Sequence, residues 1–221
     1  MQSWNGACCT KRTTLLAATV LLTASALAQT VFEQGKPATD ETAACAGFFN
    51  QGTTEPSCAL AQAEINVAEK GDGFLICATS EVNTDSATIW STLSDYDHLA
   101  GFIPGMLSSR TVSRSGAEAV VEQQGRFGIG PFYRSFTVLL AIREQLNQSI
   151  SASAIGGDFR CFESRYEVVP LGPQHARIVY QATLVPRTSL PAIVGLPAMR
   201  FLIGNQFNAL LEEIRRRASA A

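Results

Sequence analysis

His98 stands three residues after Asp95 and next to Asp97, within the run D-Y-D-H-L-A-G-F-I-P-G-M (95–106). An imidazole beside carboxylates is common equipment for general acid or base catalysis. A reaction site also needs a nucleophile or a third group, and the sequence supplies none to complete the set. The plainer expectation is a partly exposed turn histidine. The chain has two histidines, the other being His175, and no cysteine lies in a C-x-x-C pair, so a zinc site is not expected. No catalytic triad signature, P-loop or dinucleotide fingerprint occurs either. No cofactor is expected.

Arg200 is the charge that stands out. At about 100° per residue, Leu196, Ile203, Phe207, Leu211 and Ile214 share one stripe of the last helix, and Arg200 and Gly204 fall within it. An unpaired buried guanidinium costs several kcal/mol, so Arg200 needs a carboxylate, carbonyls, water or a ligand's polar head. Two readings follow, a structural partner at the rim or a ligand anchor. Arg215, Arg216 and Arg217 complement the helix dipole at its C-terminus, with contact to anionic lipid as the functional alternative.

The elements that must hold these groups read mainly as strands. Residues 63–69 alternate, K-G-D-G (70–73) makes a turn, and 74–82 returns as a hairpin partner. Thr84 or Asp85 can cap a helix that puts Ile89, Trp90 and Leu93 on one face, and a second short helix ends at Pro104-Gly105. Strand-like runs follow near 108–114, 117–128, 131–143, 147–155, 160–169 and 175–186, the pattern of an antiparallel meander. A last helix runs from about Pro197 to Ala218, with the proline in its first turn. The apolar, proline-broken segment 190–197 before it is a candidate gate or lip.

Strand alternation sorts the side chains. Phe132, Phe136, Val138, Leu140 and Ile142 share a face with Arg134. Phe162, Ser164, Tyr166 and Val168 oppose Cys161, Glu163, Arg165 and Glu167. Tyr180 lies with Ile178, Ala182 and Leu184, while Gln123 shares parity with Val121 and Phe127.

Ile89-Trp90 with Leu93, Asp95-Tyr96 and Phe102-Ile103-Pro104 resemble the START-like polyketide cyclase/dehydrase and lipid-transport superfamily, which includes coenzyme Q-binding START proteins. G-x-F-x-x-F-x-S-x-Y-x-x-x-P-L-G (157–172) and R-I-V-Y (177–180) carry the resemblance further, over about residues 63–217. It implies an α+β helix-grip fold, an antiparallel sheet wrapped around a long C-terminal helix and enclosing an apolar cavity. On that reading Arg200, Gln123, Tyr166, Tyr180, Arg134, Phe136, Phe162, Phe102, Ile103, Ile203 and Phe207 face the cavity, with Arg200 and Gln123 orienting a polar end. The expected function is binding or carriage of a lipid, quinone or polyketide-like compound; the alternative is a cyclase or aromatase acting in the same cavity.

The ends and the composition set the context. Lys11-Arg12, the apolar run Leu15–Leu27 and Ala26-Leu27-Ala28 read as a secretory signal cleaved after Ala28. Residues 29–62 form an extension, and 63–221 the START-like domain. The implied location is periplasmic or secreted. A net charge of −2 with no basic stripe argues against nucleic acid as a partner. A hydrophobic small molecule is the expected partner, with transient membrane contact as a second. Cys45, Cys58, Cys77 and Cys161 remain after cleavage, and four cysteines in an oxidising compartment point to disulfides. In the helix-grip order the final strand separates those of Cys77 and Cys161, placing them nearly 10 Å apart, too far for a bond. Cys45 and Cys58 then either pair together or staple the extension to the outer sheet face, and the second option gives every cysteine a partner.

Overall fold

The structure, a computed structural model, describes residues 64–129, 132–188 and 192–220. The expected leader and extension lie outside the described residues, as does the start of the segment before the last helix.

Eight strands form one antiparallel sheet: β1 (Glu64–Lys70), β2 (Gly73–Val82), β3 (Met106–Ser115), β4 (Glu118–Ile129), β5 (Phe132–Gln145), β6 (Ser149–Gly157), β7 (Phe159–Gly172) and β8 (His175–Pro186). Their order is β1-β2-β8-β7-β6-β5-β4-β3. The first hairpin turns through Gly71 and Asp72, where Gly71 takes a φ of 61° that a side chain would resist. β3 to β8 is an uninterrupted meander, and β8 closes back against β2 with Phe74 opposite Leu184 and Val82 opposite Ala176. The last strand therefore does lie between those of Cys77 and Cys161.

Two pieces link β2 to β3 at the far edge: α1 (Ser86–Leu93) and a 3-10 turn (Tyr96–Gly101). Asp85 is the cap of α1, its carboxylate accepting from the N–H groups of Ala87 at 2.8 Å and Thr88 at 2.9 Å. Ile89, Trp90 and Leu93 enter the core as their spacing requires.

α2 runs over Ala192–Ala218, five residues earlier than Pro197 suggests. Pro197 sits inside the helix, where it removes one intrahelical donor near the N-terminal end. The helix packs against β1, β2, β4 and α1 and so crosses the inner face of the sheet. Ile214 on α2 and Ile178 on β8 are both fully buried in that layer. Among the described residues no helix is long and apolar enough to cross a membrane.

Candidate functional site: an apolar cavity between sheet and helix

Between α2 and the inner face of the sheet lies a cavity of about 210 Å³. One water needs only about 10–15 Å³, so the space is ligand-sized. Its walls come from every layer. α1 and the 3-10 turn give Leu93, Tyr96 and Leu99; β4 to β6 give Gln123, Phe136, Val138, Leu140, Ile150 and Ala152; β7 and β8 give Phe159, Phe162, Ser164, Tyr166, Tyr180 and Leu184. Met199, Leu202, Ile203, Gln206 and Leu210 form the helix side.

One end of the cavity is phenyl-rich. Phe159 meets Phe136 edge-on at 5.4 Å and lies 5.9 Å from Phe162. Gly125 makes room for this: a Cβ there would stand 2.4 Å from Phe136 Cζ, so only hydrogen lets the ring lie across β4. Farther along β7, Tyr166 stacks on Tyr180 with centroids 4.4 Å apart. The two are direct partners in the β7–β8 register, which fixes the stack.

The few polar groups in the wall differ in what they already hold. Gln206 donates to the carbonyl of Pro104 at 3.2 Å, and Gln123 donates to the Ser109 hydroxyl at 3.4 Å. Tyr96 turns its ring to the cavity but its hydroxyl outward, donating to Glu144 at 2.7 Å. Burial pushes the Tyr96 hydroxyl far above the phenol range, helped by the Glu144 carboxylate. The Tyr166 hydroxyl is likewise pushed well up by burial. Burial raises Tyr180 too, partly offset by the neighbouring Ser164 hydroxyl. Both phenols are therefore neutral hydrogen-bond donors. No described residue in the wall is a His, Cys, Asp, Glu, Lys or Arg.

Of the residues singled out from sequence, Gln123, Phe136, Phe162, Tyr166, Tyr180, Ile103 and Ile203 line the cavity. Four do not. Arg200 points to the sheet but meets its edge, donating Nε and Nη2 to the Val67 carbonyl of β1 at 3.3 and 3.2 Å. The reason is rotational: Met199, Leu202, Ile203, Gln206 and Leu210 define the cavity side, and Arg200 stands roughly 100° from Met199 around the helix. Phe207 is on that same shoulder and is buried in packing. Arg134 lies in solvent, before Phe136 at the start of β5. Phe102 packs against the core beneath the Arg217 guanidinium, which sits 5.7 Å from its ring.

Sequence reasoning missed Met199, Leu202, Gln206 and Leu210. Their spacing of three and four was available, but the more apolar shoulder at 207, 211 and 214 masked it. His98 lies outside the cavity, mostly exposed, with Nδ1 2.6 Å from Asp95, whose carboxylate raises its pKa. Asp97 accepts from the N–H and hydroxyl of Thr111 in β3, so it anchors the turn.

Comparison with curated protein sequences finds no match. Among solved structures, a START superfamily protein from Mycobacterium smegmatis aligns with a TM-score of 0.53 and 20% identity, over 66% of this chain and 97% of that one. The Zhui aromatase/cyclase of a Streptomyces species aligns at 0.55 and 14% identity, over 66% and 95%. Human STARD10 aligns at 0.54 and 14% identity, over 72% and 76%. These are likenesses of fold. The sequence profile described as polyketide cyclase / dehydrase and lipid transport matches residues 82–213. Covering the cavity walls from the end of β2 to the last turns of α2, that match makes this chain a member of the polyketide cyclase/dehydrase and lipid-transport family.

Proposed function

We propose that the protein is an exported binding or carrier protein for an apolar or amphipathic small molecule, a lipid, quinone or polyketide-like compound. The observation that carries this reading is the cavity: ligand-sized, walled by Phe, Leu, Ile, Met and Tyr, and free of ionisable groups other than phenols among its described lining. Removing apolar ligand surface from water contributes about 25 cal/mol per Å², which is the binding force such a wall supplies. The Tyr166 hydroxyl, with Ser164 and Gln123, offers hydrogen bonds to one polar end, so the ligand carries a carbonyl, hydroxyl or ester rather than a charge.

A cyclase working in the same space would have to move protons. The phenols, raised by burial, are poor acids and bases near neutral pH, and this favours carriage over catalysis. Export rests on the leader-like Leu15–Leu27 run and Ala26-Leu27-Ala28. Intact mass of the secreted protein checks it: the mature chain starts at Gln29, and a full-length membrane-fractionated species contradicts it. Native mass spectrometry with solvent extraction, after periplasmic expression, tests the carrier. A stoichiometric co-purifying lipid or quinone supports it, and turnover of the supplied compound supports the enzyme instead.

A further inference from the structure

The inner face of β6, β7 and β8 changes side-chain size row by row. Ala152 on β6 and Ser164 on β7 are register partners, and both open on the cavity. On one side of them runs the row Ile150, Tyr166 and Tyr180; on the other stand the partners Phe162 and Leu184. These five larger side chains line the cavity too. Phe162 and Tyr166 are four residues apart on one strand, so the two large rows stand about 13 Å apart at the backbone. Between them is a slot floored by a methyl and a hydroxymethyl group, with Met199 and Ile203 of α2 on the helix side. Its Phe162 wall is backed by Phe159, 5.9 Å away, which in turn meets Phe136 edge-on. Such a slot suits a flat ring system.

Volume limits what enters. An apolar cavity of about 150 Å³ accommodates benzene. The space here, about 210 Å³, exceeds that by roughly two-fifths, which admits a second fused ring but neither a third nor a long acyl chain. Tyr166 sets the polar end. The Ser164 hydroxyl already hydrogen-bonds that of Tyr180. The Tyr166 hydroxyl has no hydrogen-bond partner among the described residues, yet it is not sealed off, so it opens on the cavity. An oxygen on the ligand satisfies it.

We propose that the cavity selects a compact, uncharged arene of one or two fused rings bearing a hydroxyl or carbonyl, laid over Ala152 and Ser164 with its oxygen against Tyr166. The Phe162–Leu184 row sets the upper size limit. The inference rests on the binding-protein reading and narrows it: small phenols and quinones fall inside the limit, long-chain lipids and larger polyketides outside.

Calorimetric titration of the purified full chain, first passed over hydrophobic resin to remove bound compounds, tests it. Naphthol should bind one-to-one, and about tenfold or more tightly than phenanthrol or palmitate, the scale of an overpacked site. Decahydronaphthol, with the same oxygen but no aromatic faces, should bind about threefold or more weakly than naphthol. Phe162→Ala should raise phenanthrol affinity toward that of naphthol, and Phe162→Leu is the milder variant should the first not fold. Phenanthrol or palmitate binding the wild type as tightly as naphthol overturns the size limit and leaves the carrier reading standing. Equal binding of decahydronaphthol overturns the selection for an arene. Binding of none of the four overturns both the inference and the carrier reading. A folded Phe162 variant that still excludes phenanthrol contradicts the role given to that row.

Discussion

Tyr166 is the residue whose role can be isolated most cleanly. Its ring is committed to the stack on Tyr180, so Tyr166→Phe keeps that packing and removes only the hydroxyl. Affinity for a small naphthoquinone should fall by about 0.5–1.5 kcal/mol, the net worth of one hydrogen bond, while naphthalene binds as before. Titration with both compounds checks this, and an equal loss for both would place the hydroxyl outside the ligand contact. Arg200 is the contrasting case. Its guanidinium holds the Val67 carbonyl on β1, so Arg200→Met should cost about 0.5–1.5 kcal/mol in stability and leave naphthoquinone binding unchanged. Thermal melting and the same titration distinguish the roles. The sequence made Tyr166 legible because a strand has two faces and its neighbours settled which is inner. A helix has no such binary choice, and a shift of one residue carried Arg200 from the cavity to the sheet edge.

The last turns of α2 show what the element itself contributes. Glu213 is buried and accepts from Arg216 at 2.6 Å and from Arg217 at 2.7 Å, and Arg217 also reaches Asp95 at 2.8 Å. Helix C-terminus, the end of α1 and the 3-10 turn are thereby tied together, with Arg217 donating to the Ser91 carbonyl as well. The arginine hydrogen bonds hold the Glu213 carboxyl down at about 2, against an ordinary value of 4.5. A depressed folded pKa means that its stabilisation is complete above the ordinary value and disappears as pH falls from about 4.5 toward 2. Glu213→Gln should lower stability at neutral pH and flatten the loss of melting temperature over that acid range, as calorimetry across pH would record. A variant with the wild-type acid slope would remove Glu213 from the linkage. The arginine cluster was visible in sequence as a match to the helix dipole. Its partner Asp95 was not, since Asp95 reaches it only through the tertiary fold. Helix length was misjudged for a local reason: proline marks a first turn by preference, and here packing tolerates it inside the helix.

At the scale of the whole molecule, the strand order and the inner face follow from periodicity, turn residues and family resemblance together. What the sequence left open was the space between sheet and helix, because a cavity is set by how far α2 stands from β4 to β8. Gln206, Leu210 and Met199 mark that distance, and no single residue announces it. The account therefore stands or falls on whether the space takes a ligand. The measurement is saturable uptake of a fatty acid, a naphthoquinone and a polycyclic phenol by the purified protein, beside Ala152→Trp, whose indole enters the cavity from β6. The account predicts one-to-one binding of at least one of these by the wild type, and loss of that binding in Ala152→Trp with melting largely kept. No saturable uptake by the wild type, or equal uptake by the filled variant, would contradict it.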